Sequence, residues 1–327
     1  MDKIIRSILC AVCVMMFACT AVSAKTIKIR FGHDQIETSP HHKAALYLKK
    51  LIEEGSNGDI EVTVYPNQLL GSGIQMVEMV QAGAIEMIAV PTSKIQVISP
   101  IFQILDLPFL FPSKEELYNE IYGDFGKALF ATLKNNNVVG LTYWGMGFKQ
   151  LTGNFPIHQP SDYKGKKIRV MPSPVIREQF KALGASPVPV DFHELYNALQ
   201  QGVVDGQENP LVGIATMKLY EVQKYMTLSN HAFLAYGMVI NKNLMDRLTA
   251  DQQKLIKDSA KKSASYQLDL LEKRDQDFLD TIKAGGVEVS ELSSEQSAQF
   301  QNAMTPVYTW FTKNVKNGRK YLEMIGK

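Results

Sequence analysis

Three polar residues in the middle of this chain sit at the ends of short apolar runs, where together they could hold an anion. Lys149 follows Trp144-Gly145-Met146-Gly147-Phe148, Arg169 lies within Lys167-Ile168-Arg169-Val170-Met171, and Asn209 precedes Pro210 in Val204-Asp205-Gly206-Gln207-Glu208-Asn209-Pro210. A guanidinium meets a carboxylate through two parallel hydrogen bonds, which fixes orientation as well as charge. On a strand, Arg169 points opposite to Ile168 and Val170. An unpaired arginine is costly in a sheet covered on both faces, but at the carboxyl end of a strand it reaches the crevice where ligands bind. Each residue also has a plainer reading: Arg169 salt-bridged to a neighbouring helix, Lys149 as a solvated loop lysine, Asn209 as a turn residue held extended by Pro210.

The elements that would position them alternate. Thr26 to Gly32 reads as a strand, His33 to Pro40 as a polar loop, and about His41 to Glu54 as a helix with Ala44, Ala45, Leu48, Leu51 and Ile52 on one face. A strand at Ile60–Tyr65, a helix at Ile74–Ala82 and a strand at Ala84–Val90 continue a β-α-β-α-β order, the pattern of a parallel α/β sheet. Ile101 to Phe111 is too broken for a helix and too apolar for an exposed loop. A helix over Glu115–Leu133, strands at Val138–Trp144 and Lys167–Met171 with a loop or hairpin over Thr152–Lys164 between them, helices at Pro174–Leu183 and His193–Gln201, and strands at Val203–Gln207 and Tyr236–Asn241 follow. Thr249-Ala250-Asp251-Gln252 is a capping box opening a run without Gly or Pro as far as Gly285. As one helix over 249–285 it would be roughly 50 Å long and would bridge two domains. Pro306 should kink or divide the helix after Ser293.

Composition sets the context. With 327 residues, 45% apolar and 21% charged, the chain has room for two globular domains. A formal net charge of +2 gives no bulk field pointing to nucleic acid or an anionic membrane. Lys3 and Arg6, the apolar run Ile8–Ala18 and Val22-Ser23-Ala24 form a secretory signal peptide cut after Ala24. The run is too short for a membrane anchor, which needs roughly 20 apolar residues. Lipid attachment at Cys19 is the weaker alternative, since Met16-Phe17-Ala18 is a poor lipoprotein box. All three cysteines fall in the removed segment, so cysteine chemistry and thiolate metal sites are excluded from the mature chain, whose net charge becomes +1.

Several stretches resemble the solute-binding proteins of tripartite ATP-independent periplasmic (TRAP) transporters, the dicarboxylate-binding DctP family. They are Leu107-Pro108-Phe109-Leu110-Phe111, Gly165-Lys166-Lys167-Ile168-Arg169, Phe192-His193-Glu194-Leu195-Tyr196 with Ala198-Leu199-Gln200, the Val204–Pro210 run, Glu221-Val222-Gln223-Lys224 and Ser229-Asn230-His231. The resemblance covers essentially the whole mature chain. It implies an α/β, two-domain periplasmic-binding-protein-like fold with hinge strands and a long C-terminal helix spanning both domains. Residues 25–145 with part of 210–245 would form one domain, and 146–209 with part of 236–327 the other. It also implies that Arg169 clamps a ligand carboxylate, that Asn209 hydrogen-bonds the ligand and that Phe192 packs beside it. Thr92 and Asp34 complete the expected site, with Lys149 and Lys94 as candidates for a second cation. A dianion in a closed cleft needs two cations, because a buried unpaired charge costs several kcal/mol. A C4-dicarboxylate (succinate, fumarate or malate) is therefore expected, with sugar acids and other monocarboxylates as alternatives. Lys149 stands where sialic-acid binders of the family carry arginine, and Gly73 where they carry a carboxylate, which disfavours that ligand.

The implied protein is a monomer in the periplasm that needs no cofactor, binds no nucleic acid and hands its ligand to the small and large TRAP membrane subunits. An exported enzyme is the first rival, but no Gly-x-Ser-x-Gly, His-Glu-x-x-His, Walker or Gly-x-Gly-x-x-Gly motif is present. His41 and His42 read as solvated helix-start residues and His231 as a satisfied core or hinge histidine. The second rival is a binding protein serving an ATP-driven importer or a chemoreceptor. The long C-terminal helix and the family motifs argue against the importer.

Overall fold

The computed structural model describes residues 26–327, so the signal-peptide segment and its cleavage site lie outside the described residues. β1 (Ile27–His33) pairs in parallel with β2 (Ile60–Tyr65) and β3 (Met87–Pro91), as the β-α-β-α-β reading expects. The crossovers are α1 (Pro40–Gly55), capped by Ser39, and α2 (Gly73–Ala82), whose Ser72–Gln75 capping box and left-handed Gly83 mark its two ends. α1 buries Ala44, Ala45, Leu48 and Ile52 but leaves Leu51 only partly covered. α3 (Thr92–Ile95) and a 3-10 segment (Pro100–Asp106) follow, the latter occupying the broken apolar stretch. The helix expected over 115–133 is two, α4 (Lys114–Tyr122) and α5 (Asp124–Ala131), separated at Gly123.

β4 (Val138–Gly153) is far longer than its sequence pattern indicates, and it organises the sheet. Its first part runs antiparallel to β9 (Phe233–Asn241), which in turn pairs with β3. From Lys149 onward it pairs instead with β7 (Gly206–Pro210), and from Leu151 also with β8 (Tyr225–Leu228). β5 (Lys167–Val170) lies parallel to β7 and to β6 (Ser186–Pro189), giving the order β2-β1-β3-β9-β4-β7-β5-β6. Two strand groups thus meet along β4. Just before the change of partner, the β4–β9 register shifts between Gly145 and Gly147, where Gly147 has φ of +105°. The bulge leaves Gly145 needing partners, and the Gln267 amide supplies both: it accepts from Gly145 N at 3.1 Å and donates to Gly145 O at 2.9 Å.

The helices α6 (Pro174–Ala182), α7 (Leu195–Gln200) and α8 (Leu211–Thr216) belong to the second strand group, and α9 (Lys242–Arg247) follows β9. The 249–285 run is not one rod. It forms α10 (Ala250–Glu272), which packs on α1 and β4, and α11 (Asp275–Ala284), which packs on α8. The run does touch both strand groups, but it turns at Lys273-Arg274, where Arg274 leaves helical dihedrals and its guanidinium stacks 4.7 Å from the Phe278 ring. β10 (Glu288–Glu291) pairs with β8, and α12 (Ser294–Asn314) continues through Pro306 instead of dividing there, before α13 (Gly318–Met324).

The strand expected at Val203–Gln207 begins three residues later, which places Glu208 and Asn209 on the strand itself. Pro210 ends it, since proline has no N–H to give the ladder. Gly206 makes this strand fit: a Cβ there would lie 2.4 Å from the Thr152 carbonyl oxygen. Gly206→Ala should therefore lower stability by about 1–3 kcal/mol. The measurement is a urea denaturation midpoint, which should fall at unchanged slope; an unchanged midpoint would contradict the packing described.

Candidate functional site

The two strand groups face each other across a small cavity of about 10 Å³, room for roughly one water. Arg169, Met171, Phe192 and Asn209 line it from β5, the segment after β6, and β7. Asp34, Pro91, Lys94, Leu234 and Tyr236 line it from β1, β3, α3 and β9, with Met146 of the β4 bulge between.

Arg169 is 2% exposed. Its Nε donates to the Val190 carbonyl at 2.9 Å, while its Nη2 is buried without any hydrogen-bond partner among the described residues. Burial holds its pKa down at about 10, partly opposed by Asp191, Glu208 and Asp34, so the group stays charged at neutral pH. No described carboxylate forms a salt bridge with it. Asn209 sits beside it, its Nδ2 donating to Gln207 Oε1 at 2.5 Å. The plainer readings of these two residues, a helix-paired arginine and a turn asparagine, do not hold.

The first group supplies a neutralised pair. Lys94 Nζ lies 3.1 Å from Asp34 Oδ2, and Asp34 Oδ1 accepts from Tyr236 Oη at 2.8 Å and from Gln35 Nε2 at 3.3 Å. Burial alone would raise the Asp34 pKa; the charge of Lys94 and the bonds from Tyr236, Lys94 and Gln35 together pull it down, so the carboxylate is ionised. Gly73 makes room for Lys94, since a Cβ at position 73 would come within 2.2 Å of its Cδ. Asp34 O also meets His193 Nε2 at 3.1 Å, tying the segment after β6 to the loop after β1.

Lys149 requires a correction. It is fully buried, but it does not line the space, and its Nζ lies 2.7 Å from Glu208 Oε1. The ladder explains the pairing. Lys149 is opposite Pro210, which puts it diagonally across from Glu208 on the same face, while the strand period turns Asn209 the other way. Burial would raise the Glu208 pKa, yet Lys149 and His231 hold it down at about 2. His231 is a satisfied buried histidine, 2.7 Å from both Glu208 Oε2 and Ser229 Oγ. Thr92 is likewise outside the lining, its hydroxyl donating to Ala235 O at 3.2 Å. His41 is not solvated but wholly buried, with Nε2 3.2 Å from Gly145 O and its ring beside Trp144 and Tyr236.

Five of the seven expected residues therefore share one cavity: Arg169, Asn209, Phe192, Lys94 and Asp34. Tyr236, Met146, Met171 and Leu234 were not anticipated. Leu234 and Tyr236 lie on a strand buried at every position, so alternation gives no sign of which side chain faces a ligand.

Residues 31–314 match the DctP family, described as bacterial extracellular solute-binding protein, family 7. The C4-dicarboxylate-binding periplasmic protein DctP of Rhodobacter capsulatus is 36% identical over 290 residues, 87% of this chain and 86% of that protein. Among solved structures, a TRAP periplasmic solute-binding protein from Desulfovibrio salexigens with bound orotic acid superposes with a TM-score of 0.88 at 34% identity, covering 92% of this chain and 97% of that one. One from Sulfurospirillum deleyianum with bound succinate gives 0.86 at 34% identity, covering 91% and 98%. The similarity spans the α/β core and the strands that bear the cavity, and the chain belongs to the DctP family of TRAP transporter solute-binding proteins.

Proposed function

We propose that this protein captures a C4-dicarboxylate such as succinate, fumarate or malate, and that it does so in the periplasm, as a monomer released by cleavage after Ala24. The observation that carries the reading is the buried Arg169 Nη2, a charged donor without a partner inside an enclosed space. A carboxylate there supplies the two missing acceptor atoms and the missing charge. Lys94 replaces Lys149 as the second cation, because it lines the same space from the opposite strand group and Asp34 is already held by Tyr236 and Gln35. A ligand with a carboxylate at each end joins Arg169 to Lys94 and so draws the two groups together. The relatives named for C4-dicarboxylates support the same choice.

The moving bodies in this reading are residues 25–145 with part of 210–245 and residues 146–209 with part of 236–327. The closed form is what the TRAP membrane subunits accept. One observation favours a second reading: Asp34 already neutralises Lys94, which leaves one unmatched positive charge and suits a monoanionic carboxylate bearing a hydroxyl that Asp34 could accept.

Calorimetric titration separates these readings. Arg169→Ala should weaken succinate binding at least tenfold, since removing one partner of a buried charge pair costs about 2–5 kcal/mol; wild-type affinity would refute the clamp. Lys94→Met should remove most of the preference for succinate over butyrate, whereas an unchanged preference supports the monoanion reading. Lys149→Met acts differently. By stranding Glu208 it should cost about 3–5 kcal/mol of stability without changing the ratio of succinate to butyrate affinity, as read by urea denaturation and titration.

A further inference from the structure

Away from the ligand cavity, a second buried polar contact joins the two strand groups. Asp106 ends the 3-10 segment, which packs on α3 and β9, and it is 1% exposed. Its Oδ2 accepts from Ser173 Oγ at 2.8 Å, and its carbonyl accepts from Gln179 Nε2 at 2.5 Å. Ser173 stands at the N-cap of α6, yet its hydroxyl makes no cap bond; it is turned across the interface to Asp106. Two acceptors at this contact, Asp106 Oδ1 and Gln179 Oε1, are buried with no hydrogen-bond donor among the described residues. A single proton on the carboxyl would supply a donor where none exists.

We propose that Asp106 is a positioning residue for cleft closure, a latch whose carboxyl takes up a proton from solvent as the Ser173–Gln179 face of α6 docks on it. The inference rests on the closure reading above. Opening separates the two segments and returns Asp106 to water and to ordinary ionisation. In the closed form burial pushes its pKa up to about 6, with Lys149 on β4 and the Ser173 bond opposing the rise and Glu208 on β7 adding to it. The other elements packed on the segment bring no further charge to it: Lys94 of α3 is paired with Asp34, α6 offers the neutral Ser173 and Gln179, and β9 and α13 contribute none. The sign follows from linkage. The closed form binds the extra proton, so closure is favoured most below the ordinary carboxylate range, and the advantage is lost as pH rises to and through about 6. Above pH 7 the effect is flat.

The test uses fumarate, whose own carboxyl groups are ionised near pH 6, titrated calorimetrically into the mature protein in two buffers of different ionisation enthalpy. The expected result is uptake of about half a proton per fumarate at pH 6 and about tenfold tighter binding at pH 5 than at pH 8. Asp106→Asn, which keeps the acceptor and adds a permanent donor, should bind fumarate more tightly than wild type at pH 8 and show no proton uptake. Binding without uptake in the wild type, or uptake that persists in Asp106→Asn, overturns the latch and leaves ligand capture standing. Failure of fumarate to bind at any pH overturns the dicarboxylate reading and the latch with it.

Discussion

A guanidinium held out of water without a counter-charge is the constraint on which the rest of this molecule turns. Arg169 has spent one donor on the Val190 carbonyl and has a buried donor with nothing to meet it. Such a group raises the free energy of the empty closed form, and an anion that fills the site removes the penalty. The surrounding charges are arranged so as not to satisfy it. Asp191 acts on it through charge without a salt bridge; Glu208 lies on the neighbouring strand, but Lys149 and His231 hold it; Asp34 faces the cavity, but Lys94, Tyr236 and Gln35 hold it. Glu208 and Asp34 are thereby engaged elsewhere, and the arginine is left without a salt bridge.

The architecture sets this arrangement at the junction of the two strand groups. The cavity has walls from both strand groups, and the groups share β4, which changes partners just after a bulge held by Gln267 and flanked by Gly147. Near that change, Lys149 and His231 are bound to Glu208, and Ser229 to His231. The cavity lining and the junction of the two strand groups are therefore neighbours on the same ladder. Asp34–His193 and Asp106–Ser173 close the cleft at two further points.

Much of this was legible in the sequence, and what was not has identifiable causes. Arg169, a charge on a strand of period 2, and Asn209, an asparagine before Pro210, each had a plainer reading, and the family resemblance gave both their expected place in the site. Lys149 could be seen to matter but not how, since its partner lies 59 residues away and only the β4–β7 register brings them together. The turn at Lys273-Arg274 carries no Gly or Pro, so tertiary packing on α8 decided it against local helix preference. His41 followed a proline at a helix start, a place that is exposed in most helices; here Trp144 and Tyr236 enclose it. Asp106 was hidden in an apolar run with no regular period.

The most direct measurement is a thermal-shift comparison of succinate with succinamide, which has the same shape and no charge. Binding to the native state alone raises stability by about 2.7 kcal/mol at one hundred times the dissociation constant. The account predicts that succinate raises the melting temperature in proportion to that term and that succinamide leaves it unchanged. An equal rise with succinamide, or none with succinate or any other organic acid, would contradict a cavity built around an unpaired arginine.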